Sequence, residues 1–180
     1  MEIKTADLTR TALFTAFMAV LAQIAIPVPI SPVPFTLQVF GVLLAGIILP
    51  PKAAFLSVLC YLLLGAAGVP VFAAARGGLQ VILGPTGGYL LGFLPGVFFL
   101  SKMVNRNNNN NLVLAFSMLI FLVIVYTCGA IQLSFVMKLD FKQTIAAGVI
   151  PYIPFDLIKI AAIIPLANKL KSLNARLKTG

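Results

Sequence analysis

The residues best placed to do chemistry are an acid and a base in Pro154-Phe155-Asp156-Leu157-Ile158-Lys159. Three positions apart, Asp156 and Lys159 share one face of a helix. Opposed charges there can pair with each other or hydrogen-bond a polar ligand. They lie inside an apolar stretch, where an ionisable side chain is costly and needs a reason. One reason is an ion pair that locks the helix to its neighbours; the other is a ligand site. Glu2, Asp7 and Asp140 fall near span ends or in a loop, so Asp156 is the one acid within a span. The chain has no His, which removes imidazole bases and ligands from every mechanism. An enzyme acting on lipids would want paired carboxylates, a metal site or an activated nucleophile. None of these is legible, and neither a metal nor a cofactor is expected.

A second set of polar residues lies in Gly77-Gly78-Leu79-Gln80 through Gly84-Pro85-Thr86-Gly87-Gly88-Tyr89-Leu90-Leu91-Gly92-Phe93. Pro85-Thr86-Gly87-Gly88 reads as a loop entering a helix N-terminus, where free amides can meet an acceptor. No Gly-Lys-Ser/Thr follows, so it is not a nucleotide P-loop. Glycines recur at 84, 88, 92 and 96, and at least the last three form a stripe that lets two helix backbones approach closely. The connection Gly68–Pro85 is long and apolar yet carries Arg76. Non-helical backbone at membrane depth is tolerated where it lines a cavity, which would make Arg76 available to an anionic ligand; an ordinary exposed loop arginine is the alternative. On the first helix, Ala12 and Ala16, then Thr15 and Ala19, make a smooth face for another helix, in this chain or a partner.

The elements that must position these residues are membrane helices. Of the 180 residues, 61% are hydrophobic and 9% charged, with a mean hydropathy of +1.07. A soluble domain carries about 25% charged residues, so lipid is the solvent and a single domain is expected over 1–180. Six segments approach the roughly 20 apolar residues a span needs: Asp7–Ile26, Thr36–Leu49, Ala53–Gly68, Thr86–Ser101, Leu112–Gln132 and Thr144–Leu170. Lys4 and Arg10 precede the apolar stretch Thr11 to Pro27, but no clear cleavage site follows it, so it reads as the first membrane helix, not a signal peptide. Pro27 to Pro34, with four prolines, is non-helical; Pro50-Pro51-Lys52 reads as a turn, Asn105 to Asn111 as a polar loop, and Leu133–Gln143 as a solvated loop. Cys60 and Cys128 read as small buried apolar residues.

The net charge of +9 does not indicate nucleic acid, because Lys and Arg sit in breaks between apolar runs, with no basic face. Six spans place both termini on one side. If that side is cytoplasmic, Lys4, Arg10, Lys52, Lys102, Arg106, Lys169, Lys171, Arg176 and Lys178 are inside, with Arg76, Lys138 and Lys142 outside. This follows the positive-inside rule.

The stretch Gly68-Val69-Pro70-Val71-Phe72-Ala73 through Gly77-Gly78 to Gly84-Pro85-Thr86-Gly87-Gly88-Tyr89-Leu90-Leu91-Gly92-Phe93 resembles the BioY family, the biotin-specific substrate-binding (S) components of energy-coupling-factor transporters. Pro32-Val33-Pro34-Phe35-Thr36-Leu37-Gln38 and Pro154 to Lys159 match the same family, so the resemblance covers essentially the whole chain. It implies an all-α bundle of six transmembrane helices in a prokaryotic cell membrane, with an outward-facing pocket capped by loops 1 and 3. It implies biotin binding by Asp156 and Lys159. It implies docking through Ala12 and Ala16 onto a transmembrane coupling (T) subunit, driven by a pair of cytoplasmic ATPases. Biotin offers an apolar bicycle, a ureido group and a carboxylate, and suits apolar walls with a few placed polar groups. Asp156 can accept from ureido N–H groups, and Lys159 or Arg76 can meet an oxygen or the carboxylate; the sequence leaves the pairing open. Gln38, Thr36, Gln80, Thr86 and Tyr89 are further candidates for the pocket. Two other readings of the scaffold are an S component for another vitamin and a passive channel, which would conduct without tight, saturable binding.

Overall fold

The computed structural model describes residues 5–106 and 110–179, with side chains described from 5 to 169 except at 6. Glu2, Lys4 and Asn107 to Asn109, and the side chains of Lys171, Arg176 and Lys178, lie outside the described residues. The described chain is mostly helical: α1 (Thr5–Gln23), α2 (Gln38–Ile48), α3 (Pro51–Ala66), α4 (Leu79–Ile82), α5 (Gly87–Arg106), α6 (Asn111–Met137), α7 (Phe141–Gly148) and α8 (Ile153–Thr179). One antiparallel ladder joins β1 (Ala25–Ile26) to β2 (Phe35–Thr36), pairing Ala25 with Thr36 and Ile26 with Phe35. In the segment between them every second or third residue is a proline without an amide N–H, so it closes as a hairpin loop over the end of the bundle.

By length and composition, α5 and α6 can each cross a membrane, and α7 with α8, bent by 42° at a short break, makes a third candidate span. Helices α2 and α3 are apolar but shorter, with 11 and 16 residues. Helix α2 is buried from Gly41 to Ile47. It packs against α1, α5 and α8, so its polar backbone is covered by protein rather than lipid.

The closest-fitted pair is α5 with α6, and glycine explains it. A Cβ at Gly88 would meet the Cys128 carbonyl oxygen at 2.3 Å, one at Gly92 the Cys128 Cβ at 3.1 Å, and one at Gly96 the Phe121 ring at 2.8 Å. The stripe expected at these three positions therefore faces α6, whereas Gly84 lies in the turn before α5. Helix α1 docks on α3 through Thr15, whose hydroxyl donates to the Ser57 and Thr11 carbonyls at 2.9 and 3.0 Å. The hydroxyl thus meets its own hydrogen-bonding demand inside the buried interface while tying α1 to α3.

Several sequence expectations are corrected. Pro51 and Lys52 form the first turn of α3, not a free turn, because proline is well suited to the first helical position. Asn105 belongs to α5, where its amide donates to the Ser101 and Leu49 carbonyls at 2.8 and 3.4 Å. The Leu133–Gln143 loop shrinks to three residues: α6 runs to Met137, Lys138 adopts a left-handed cap with φ of 53°, and an Asp140–Gln143 capping box starts α7. The single span Thr144–Leu170 is two helices broken at residues 149–152, around Pro151. The Gly68–Pro85 connection contains a 3₁₀ turn at Ala73–Ala75 and the one-turn α4. Cys60 is exposed and Cys128 half-buried; in lipid the outer face of a helix is as apolar as the core, so hydropathy does not separate the two.

Candidate functional site

The hairpin loop, the Gly68–Pro85 connection, the first turns of α2, α5 and α8 and the middle of α6 enclose a cleft with an atom-free volume of about 650 Å³ counted out through its mouth into open solvent. Its walls are mostly apolar: Phe35, Val39, Phe72, Val81, Leu90, Phe93 and Val125. Into it point Thr36, Gln38, Arg76, Thr86, Tyr89, Tyr126, Tyr152, Asp156 and Lys159.

Asp156 and Lys159 are both buried, at 3% and 6% exposure. They fall on the first turns of α8 because the break at 149–152 restarts the helix just before them. Lys159 Nζ donates to Asp156 Oδ1 at 2.7 Å and to the Thr36 carbonyl at 2.7 Å, and it lies 4.2 Å from the centre of the Phe35 ring. The ammonium thus has a carboxylate, a carbonyl and an aromatic face, the combination that makes a buried cation tolerable. The other carboxylate oxygen, Oδ2, accepts from the Tyr126 hydroxyl at 2.6 Å. Phe35 packs against Phe155 with the rings tilted by 54° and 4.6 Å between centroids, carrying the ladder onto α8.

The remaining polar groups are held with similar economy. Thr36 Oγ1 donates to Gln38 Oε1 at 3.0 Å, and the Gln38 amide donates to the Tyr61 hydroxyl. Tyr61 in turn donates to the Val71 carbonyl at 3.0 Å, joining α2, α3 and the Gly68–Pro85 connection. Tyr89 donates to the Gly148 carbonyl at 2.7 Å, at the C-terminus of α7. The Tyr152 hydroxyl, in the break before α8, bonds Ser31 Oγ at 2.8 Å and the Val33 carbonyl, fastening the hairpin loop. Among the described residues every buried side-chain nitrogen or oxygen has a partner. Arg76 is exposed and donates through Nε to the Ala73 carbonyl at 3.2 Å. Its side chain therefore borders the cleft at an exposed position, opposite in character to the buried Asp156–Lys159 pair.

Seven expected residues converge on this cleft: Asp156, Lys159, Arg76, Gln38, Thr36, Thr86 and Tyr89. Gln80 does not; it borders a shallower depression beside Arg76, Gly84 and Pro32, and its amide donates to the Gly77 carbonyl at 2.7 Å. Ala12 and Ala16 lie far along the chain's first helix, exposed on α1, while Thr11 and Thr15 turn inward. Tyr126 and Tyr152 are additions. Each is a hydroxyl within an apolar stretch, and the rule that such a group needs a partner is the signal by which they could be found. A larger apolar groove of about 1,450 Å³ lies beyond Tyr126 between α6, α7 and α8. It holds no charged side chain, and it lacks the converging polar groups of the first cleft.

Comparison with known proteins agrees with the arrangement. The BioY family model matches residues 1–176. The biotin transporter BioY of Thermotoga maritima is 43% identical over 167 residues, covering 93% of this chain and 96% of its own. The probable biotin transporter BioY of Pyrococcus horikoshii is 40% identical, covering 94% and 98%. The crystal structure of the S-component for biotin from an ECF-type ABC transporter superposes with a TM-score of 0.88 at 29% identity, over 95% of both chains. An apolar helical bundle, a cleft with one buried acid–lysine pair, and matches along nearly the full length place this chain in the BioY family of membrane transporter subunits, which are not enzymes.

Proposed function

We propose that this chain is the biotin-capturing S component of an energy-coupling-factor transporter, binding biotin with high affinity in the cleft between the hairpin loop and α8. The observation that carries the reading is the convergence of Asp156, Lys159 and Tyr126 at the buried side of an apolar cleft whose exposed border holds Arg76. A ligand with a compact donor–acceptor group at one end and an anion at the other fits that polarity. The ureido group goes to the buried pair, and the bicycle lies against Phe35, Phe72 and Phe93. The carboxylate reaches Arg76, where water access lowers the cost of holding a charge. Thr36, Gln38, Thr86 and Tyr89 border the same space, and biotin is cargo, so no cofactor is invoked.

The membrane arrangement we favour has six spans, α1, α2, α3, α5, α6 and the bent α7–α8, forming one transmembrane domain. Both termini are cytoplasmic, in the cell membrane of a prokaryote, and loops 1 and 3 cap the cleft from outside. Support comes from the nine-to-three distribution of Lys and Arg. It comes also from the contribution of both loops, through Phe35 and Thr36 and through Phe72 to Arg76, to the cleft wall. The exposed Ala12 and Ala16 offer a smooth strip to a transmembrane coupling subunit, and a pair of cytoplasmic ATPases supplies the energy.

Equilibrium binding of biotin to the detergent-purified protein, with Asp156→Asn and Lys159→Ala alongside, tests the reading. Tight binding weakened about tenfold or more by either change, at least ~1.4 kcal/mol, is the expected result. A folded wild-type protein that binds no biotin overturns it.

A further inference from the structure

The turn carrying Phe72, Ala73 and Arg76 is held in a conformation that its own residues disfavour. Ala74 and Ala75 have φ of 57° and 54°, in the left-handed region. There the Cβ crowds the following carbonyl, and glycine is the usual occupant. The turn is closed at its base by the Phe72 amide donating to the Arg76 carbonyl at 2.9 Å. Below it, the Phe72 ring is buried edge-on to Tyr61, with centroids 5.5 Å apart. Two consecutive left-handed alanines are not self-supporting, so something outside the turn must select that geometry.

Gln23, the last residue of α1, is in position to do so. Its Oε1 accepts from the Ala75 amide at 2.9 Å, while its Nε2 donates to the Phe72 carbonyl at 3.4 Å and to the Ala19 carbonyl at 2.9 Å. One planar carboxamide therefore grips both limbs of the turn and ties them to α1. A Glu would lose both donations, and a Leu would lose every bond. We infer that Gln23 is a positioning residue for ligand capture: it holds the 72–76 turn so that Phe72, Ala73 and Arg76 form the cleft wall. The inference rests on the reading of the cleft as the biotin site. It goes further in giving α1, the helix that carries Ala12 and Ala16, a direct hold on that wall.

Two measurements test this. In the first, Gln23→Ala is expected to weaken biotin binding about tenfold, ~1.4 kcal/mol, mainly through faster dissociation, with the melting midpoint of the ligand-free protein unchanged. Adding Ala74→Gly and Ala75→Gly to that variant removes the steric penalty and is expected to recover most of the affinity, which a general structural role would not allow. In the second, trypsin acts on the ligand-free protein. Arg76 and the lysines at 138 and 142 are exposed, so cleavage after Arg76 is expected to run about fivefold faster in Gln23→Ala, with the other two sites unaffected, because cleavage follows local opening. Unchanged affinity in Gln23→Ala, or a loss that the two glycines do not restore, overturns the inference. A wild-type protein that binds no biotin ends the functional reading instead, and the trypsin comparison alone then decides Gln23: equal cleavage rates refute it.

Discussion

Substituting alanine along the α5 glycine stripe should give a graded response fixed by distance alone. Ordinary van der Waals contact for a Cβ begins near 3.4 Å. At Gly88 the new methyl would sit 2.3 Å from the Cys128 carbonyl oxygen, 1.1 Å too close (3.4 − 2.3), and the obstacle is helix backbone. At Gly92 the shortfall is 0.3 Å (3.4 − 3.1), against the Cys128 Cβ and the Val125 Cα. Overpacking costs roughly 1–3 kcal/mol, while replacing glycine inside a helix returns roughly 0.8–1.0 kcal/mol. Gly88→Ala takes the upper end of the cost and should lose about 2 kcal/mol net, whereas Gly92→Ala should be close to neutral. At 150–250 residues, 1 kcal/mol corresponds to about 2–4 °C in Tm, so Gly88→Ala is expected to melt about 4–8 °C lower. Circular dichroism of the detergent-solubilised variants, scanned at one rate because membrane proteins often unfold irreversibly, reads the difference. A Gly88→Ala protein as stable as wild type, or a Gly92→Ala protein that is the weaker of the two, would refute the claim that α5 and α6 meet backbone to backbone.

Other expectations concern the site and the outer face of α1. Tyr126→Phe leaves Asp156 Oδ2 without its donor; a hydrogen bond to a charged group contributes about 1.5–3 kcal/mol, so the ligand-free protein should melt measurably lower, and an unchanged midpoint would show that water replaces the hydroxyl. Replacing Ala12 and Ala16 together by Leu should leave biotin affinity within about twofold, far below a 1.4 kcal/mol effect, while abolishing co-purification with the coupling subunit. Loss of biotin binding in that double variant would instead place the strip in contact within this chain.

Much of the site was legible because polar residues inside apolar stretches are few and expensive. Asp156, Lys159, Thr36 and Gln38 stand out against their neighbours on that criterion, and the structure brings them together. The helical spacing of Gly88, Gly92 and Gly96 likewise determines which face of α5 meets α6. What escaped has a physical reason in each case. The break before α8 is invisible to hydropathy because Val149 and Ile150 are as apolar as the helices on either side. Tyr126 hid in a long run of Leu, Ile and Val, where its ring satisfies the apolar pattern and only its hydroxyl does not. Gln80 was expected with the other polar residues by proximity in sequence, but a single turn of helix directs it out of the cleft. Ala74 and Ala75 give no sign of their left-handed conformation, since alanine ordinarily marks helix.

The hydrogen bonds inside the cleft have a consequence for selectivity. Both oxygens of Asp156 are engaged within the chain, one by Lys159 and the other by Tyr126. Binding at that end is then an exchange of partners, in which an incoming donor must displace the tyrosine hydroxyl and gains only the difference between the two bonds. On the proposed reading, a molecule of the right shape that lacks such a donor leaves the Tyr126–Asp156 bond in place and gains nothing at that end. The internal hydrogen bonds would thus act as a reference competitor built into the chain, so that near-relatives of the cargo without that donor depend on the apolar walls alone.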